Sequence, residues 1–287
     1  ADIAFSADGQ QIAVARTRRL LEVWKQGEKT PALQTELSCQ GISFTPHPQL
    51  LLLANGEELL TWNRETPDAP PKGISKFNSV IKYLSATPDH KFAATWTADG
   101  VVRIWNLATN REVQNLPLPV PNSQVIALSP DARVLVSGTA QGSLVFWDVS
   151  SRKTLSEIPG LNSPVTALAF SRDGKRFAAG TKKGDITVWE YQSGKTLANV
   201  SNGTPVKALW VDNSRDIVIA LSAPSVRRWN WTDGSKIDFP PTDAEAYSSL
   251  ASSPDGKTIA VGGTTDSPLW LFDIDTGTLI ETLDVEP

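Results

Sequence analysis

Histidine, cysteine and methionine are nearly missing from this 287-residue chain, which has two His, one Cys and no Met. With Cys39 alone, no intrachain disulfide can form, which suits a reducing compartment; the cytoplasm is the expected location. His47 and His90 are too few for a His-rich metal cluster, and a Ser/His/Asp triad would have to recruit one of them. No nucleophile-elbow phrase is present, and Gly262-Gly263 sits at a strand end with no helix after it to cradle phosphate. No run approaches the roughly 18 apolar residues of a membrane helix, so a membrane partner is not expected. The formal charge of -4 provides no strong excess of Lys and Arg, so nucleic acid is not expected either. Nothing calls for a cofactor or a metal. The first residues, Ala1 to Phe5, lack a basic segment ahead of an apolar one and read as the interior of a strand. The chain is therefore expected to be part of a longer multidomain protein. Three Asn-x-Ser/Thr patterns, at Asn199, Asn202 and Asn230, are at the level that chance gives.

Helical periodicity over ten or more residues is also absent; a repeated phrase takes its place. An apolar pair leads to Ser or Thr, Pro, Asp and often Gly, then to an apolar strand, a polar turn and a strand ending in Trp. The clearest copies begin at Leu168 (LAFSRDG) and Leu250 (LASSPDG), with others at Ile3, Leu84 and Ile126 and degenerate ones at Ile42 and Leu209. Closing aromatics follow at Trp24, Trp62, Trp105, Trp147, Trp189, Trp229 and Phe272, each 38 to 43 residues after the last. Phe177, Ala179, Ile186 and Val188 fall at near-alternate positions, which is strand periodicity. The fifth copy divides into strand a (165–170), b (176–180), c (186–189) and d (196–200). One four-stranded sheet cannot bury both of its faces, whereas seven packed side by side can, with the repeated Trp and Phe between them. The expected fold is all-β, a seven-bladed β-propeller of four-stranded antiparallel blades. It is read as one domain over 1–287, with blades near 1–38, 39–78, 79–121, 122–162, 163–203, 204–244 and 245–287.

The phrase resembles WD repeats, particularly the regular kind common in bacterial multidomain proteins. Trp147-Asp148 and Phe272-Asp273 match that family's closing dipeptide, and Trp189-Glu190, Trp62-Asn63, Trp105-Asn106 and Trp229-Asn230 come near it. The Gly-His pair of many WD repeats is absent, so their full His–Asp–Trp hydrogen-bond network is not expected in any blade. Seven blades of four strands use the chain up with none left to exchange, so closure is expected to rest on packing between blades one and seven. Either upstream residues contribute to it, or blade one is locally less stable.

The resemblance implies a protein- or peptide-binding scaffold that docks its partner on the face made by the b–c turns and the lead-ins to strands a. On that face fall Arg18, Gln40, Lys82, Trp96, Asp99, Gln124, Gln141, Lys183, Lys207 and Asp266. The lysines suit an acidic partner. Asp8, Asp89, Asp131, Asp173 and Asp255 are read as turn residues bonding nearby amides, not as metal ligands. Among the Trp surplus to the repeat (Trp96, Trp231 and Trp270), Trp96 is the surface candidate; Trp210 is expected to fill space inside. The alternative reading is a propeller enzyme or small-ligand sensor that uses the central channel.

Overall fold

The computed structural model describes residues 2–16, 20–117, 123–222, 225–240, 247–263 and 268–284. Its strands form seven four-stranded antiparallel sheets, each from four consecutive strands in the order a-b-c-d. The fold is a seven-bladed β-propeller. Strands a run Asp2–Phe5, Gly41–Phe44, Ile81–Ala86, Ser123–Leu128, Val165–Phe170, Ala208–Val211 and Tyr247–Ser252. Among the described residues no strand is exchanged between the first sheet and the seventh. By contacts the chain divides into two compact units. One comprises Ala1–Pro119, Ala251–Leu271 and Glu281–Pro287, and the other Val120–Leu250 and Phe272–Ile280.

The a–b turns explain why each copy of the phrase folds alike. In the fifth blade Ser171 Oγ donates to Asp173 Oδ1 at 2.7 Å and accepts the amide of Arg176 at 2.9 Å. The same Asp oxygen accepts the amide of Lys175. Ser6–Asp8, Thr87–Asp89, Ser129–Asp131 and Ser253–Asp255 repeat that hydroxyl-to-carboxylate bond. These carboxylates are turn braces, and hydrogen bonds to the charged form hold Asp8 and Asp255 below the usual carboxylate range, with the Ser hydroxyl first. The turn also needs a left-handed residue. Gly174 takes it at φ +72°, and where Gly is missing His90 and Ala132 take it at φ 56°.

Apolar side chains gather between neighbouring sheets, not within them. In the first unit Leu21 and Val23 of blade one meet Ile42, Leu53 and Trp62 of blade two. Leu52 and Leu59 of blade two then meet Ala93 and Trp105 of blade three. In the second unit Phe146 meets Phe177 and Trp189, and Val188 meets Val218 and Trp229. Trp24, Trp62, Trp105, Trp189 and Trp229 thus face the sheet before them, and every closing Trp is buried, Trp24 completely. Burying an aromatic of this size contributes about 2–3 kcal/mol. The expected packing between blades one and seven is present in the first unit. Ile3, Phe5, Ile12 and Trp24 share a cluster with Ala260, Leu269, Leu271 and Leu283.

Candidate functional site

The b–c turns are pinned to the lead-ins of strands a by main-chain hydrogen bonds. In the first unit Ile81 N donates to Gly56 O and Ala98 N to Val80 O. In the second unit Val206 N donates to Thr181 O, Lys182 N to Pro164 O and Lys183 N to Ser163 Oγ. Each turn in these bonds therefore shares a surface with the start of a strand a.

In the first unit that surface carries Gln40, Lys82 and Asp99, all exposed. Gln40 Oε1 accepts the Gly56 amide at 2.8 Å, and Asp99 accepts Thr97 Oγ1 at 2.5 Å, so both brace turns. Trp96 is a correction. It is buried at 7% exposure, and the Lys82 ammonium stands 5.7 Å from its ring centroid, so the ring supports the lysine and does not itself present a surface. The exposed groups beside Lys82 are Val80 at 45% and Tyr83 at 38%. Sequence reasoning missed both. The signal available was an apolar and an aromatic residue around Lys82, at the places where blade five has Pro164 and Ala167.

In the second unit Gln124, Gln141, Lys183 and Lys207 are exposed, with Lys182 beside Lys183. Thr166 Oγ1 donates to Val206 O at 2.5 Å and fixes the lead-in on which Lys207 stands. Arg18 and Asp266 lie outside the described residues.

Both histidines make contacts between blades two and three. His47 Nε2 lies 3.1 Å from the Ala108 carbonyl, and His90 meets Phe44 edge-on at 6.3 Å between centroids. Among the described residues no group of three or more His, Cys, Asp and Glu could hold a metal ion. Trp270 is buried, but Trp210 is only half-buried and does not fill the interior as expected. In two blades the closing Trp bonds a strand b hydroxyl. Trp105 Nε1 donates to Thr95 Oγ1 at 2.9 Å and Trp147 Nε1 to Ser137 Oγ at 3.2 Å.

One carboxylate near this surface is shifted upward. Burial raises Asp2 from 3.8 to about 6, against the pull of hydrogen bonds from the Ile42 and Ile3 amides. Burial first, then the Asp2 charge, pushes the Cys39 thiol up to about 12, which leaves it inert. Between 3.8 and about 6 the folded chain holds a proton on Asp2 that the unfolded chain has lost. Stability therefore falls as pH rises through that window, by at most about 3 kcal/mol for a shift of this size. Urea midpoints at pH 4.5 and 7.5 check this against Asp2→Asn, which cannot titrate. The natural chain is expected to lose ground relative to the variant at the higher pH; parallel changes would refute the assignment.

Seven sheets of consecutive strands, Ser–Asp turn braces and inter-sheet Trp define a WD-type β-propeller. More narrowly, the chain belongs to the family described as Nucleolar protein 10-like, N-terminal domain, whose family model matches residues 3–246. The match ends just before strand a of the seventh sheet. Comparison with curated protein sequences finds no match.

Proposed function

We propose that this propeller is a non-catalytic platform that docks an acidic protein or peptide on the surface of its b–c turns and strand a lead-ins. The observation that carries the reading is the pairing of Val80 and Tyr83 with Lys82. Among the described residues six large hydrophobics are exposed, and the other four (Val113, Leu155, Leu279 and Ile280) all lie on strands d. An aromatic and an aliphatic group flanking a lysine supply both contact area and charge complementarity. In the second unit, taken by itself, Lys182, Lys183 and Lys207 stand at the corresponding turns and lead-ins. The family contributes a fold that commonly serves as a scaffold.

The test is site-specific photo-crosslinking in cells, with a photoreactive phenylalanine at Tyr83 and, for comparison, at Leu155. The expected result is a discrete protein adduct at position 83 that disappears when Lys82 is changed to Glu. No adduct at 83, or the same adducts at both positions, would remove this surface as the docking site.

A further inference from the structure

One position of the repeat sets the sixth blade apart. Two residues after the closing aromatic, an amide bonds back to the start of strand b: Leu107 to Lys91 O, Val149 to Arg133 O, Tyr191 to Lys175 O and Trp231 to Asp216 O. Blades one and two make the same bond with the polar Gln26 and Arg64, whereas from blade three onward the side chain there is apolar or aromatic and packs toward the core. Leu107 and Val149, and Ile274 at the matching place in blade seven, are buried. Tyr191 is covered by Phe146 and Phe170. Trp231 packs against the cluster that holds Val188 and Ala198 but stays half-buried. Its indole borders a cleft of about 540 Å³ within the second unit, lined also by Lys175, Arg176, Glu190, Lys195 and Leu197. That volume is in the range of specific ligand sites, about 300–1,000 Å³.

The charges in the cleft are unevenly matched. Arg176 lies 5.2 Å from the Trp231 centroid, but its guanidinium is held by Asp216 Oδ1 at 2.6 Å and the Asp212 carbonyl at 3.1 Å. The other Asp216 oxygen accepts Thr232 Oγ1, and Glu190 accepts Ser193 Oγ. Lys195 has no ion pair among the described residues. Lys175, 77% exposed, has only a 3.9 Å contact to Asp173. Over its lining the cleft sets Lys175, Arg176 and Lys195 against Glu190 and Asp216, an excess of one positive charge on a chain whose net charge is negative.

Its border also bears on the class of ligand. Thr196 and Leu197 begin strand d (Thr196–Ser201), the last strand of its sheet, whose outward main-chain groups have no sheet partner. Val188 pairs with Ala198 and Trp189 with Thr196, so Leu197 is the extra residue of a bulge that interrupts the ladder beside the cleft. The same bulge in blades three and four leaves Val113 and Leu155 more than half exposed, whereas Leu197 packs into the cluster that Trp231 also covers. An apolar floor, two cations and an open strand edge together match an extended polypeptide more closely than a compact small molecule.

We propose that this cleft is a second peptide-docking site, taking an aromatic or large aliphatic side chain against Trp231 and an adjacent carboxylate between Lys175 and Lys195. The test is selection of a random dodecapeptide phage library on the immobilised 287-residue chain, followed by anisotropy titration of the enriched peptides. Enrichment of an apolar residue next to Asp or Glu is expected, with affinity falling about tenfold or more in the Lys175→Ser, Lys195→Ser double variant. Trp231→Leu, which restores the residue that blade three carries at Leu107, is expected to abolish binding while the circular dichroism melt stays cooperative. Should Trp231→Leu fail to fold, the lysine double variant decides alone. The assignment is overturned if no peptide is enriched, if the enriched peptides lack the acidic and apolar pair, or if neither variant weakens binding. Binding lost in Lys82→Glu but kept in Trp231→Leu would also overturn it, by moving the peptide to the b–c turn surface.

Discussion

Gly184→Ala is expected to destabilise the chain by about 3–5 kcal/mol, lowering its urea midpoint at an unchanged slope. Gly184 closes the b–c turn of blade five at φ +95°, where an L-residue is strained. A Cβ there would stand 2.6 Å from the carbonyl oxygen and 2.7 Å from the nitrogen of Thr204, and 2.9 Å from the Gly203 nitrogen. All three atoms are main chain, so no rotamer change relieves the clash. Gly142, in the equivalent turn of blade four, meets the Ser163 carbonyl at 2.8 Å in the same way. The control is Gly194→Ala, at φ +68° with nothing within 4 Å, where only the backbone strain of about 1–2 kcal/mol applies. If the two substitutions cost the same, close approach is not what fixes glycine at 184. The result also bears on function, because Asn202 N donates to Gly184 O and the same turn carries Lys183. A shifted turn would displace the lysines of the proposed docking surface.

The repeat was legible because its determinants are local. Ser171, Asp173 and Gly174 lie within four residues and close their turn by themselves, and Trp189 follows at a fixed distance along two short strands. The copies at Ile42 and Leu209 look degenerate in sequence yet fold as strands a, because each is still covered by a neighbouring sheet. What was not legible depends on residues from another blade. Trp96 pairs with Val102 in the register where Gly138 pairs with Leu144 and Gly180 with Ile186. In blades four and five that place stays small because Val165 and Val206 of the following blades press on it at 2.6 and 2.5 Å from an added Cβ. Whether a Trp at such a position faces water or fills a gap is set by the residue opposite it, which no local pattern specifies. Val80 and Tyr83 were hidden for a similar reason: a strand a lead-in reads as core until its cover is known. Lys82, Lys183 and Lys207 are exposed as expected, because exposed charge needs only a turn position to predict.

Glu22→Leu is expected to cost about 3–5 kcal/mol, and adding Arg16→Met is expected to return most of that loss. Glu22 is wholly buried on strand c of blade one, with Oε1 accepting Arg16 Nε at 3.0 Å and Oε2 accepting Trp24 Nε1 at 2.9 Å. The geometry follows from a substitution in the repeat. Two residues past the strand b partner of the closing Trp, blade three has Thr95 and blade four Ser137, and each hydroxyl takes the indole N–H. Blade one has Val14 at that place, so the indole turns to the carboxylate at 22, which then needs its own cation. Blade six has Ala220 there with Arg227 in place of the carboxylate, and the buried Trp229 Nε1 has no hydrogen-bond partner among the described residues. Removing Glu22 alone takes an ion-pair partner from a mostly buried guanidinium and opens the indole N–H, which is why the single variant should suffer more than the apolar pair. Adding Val14→Thr to the pair supplies the hydroxyl that blade three uses and should recover about a further 1 kcal/mol. Urea midpoints of the singles, the pair and the triple form the cycle that measures this. A pair no more stable than Glu22→Leu alone would mean that the cost at position 22 comes from packing, and that the buried ion pair is not what couples Arg16 to Trp24.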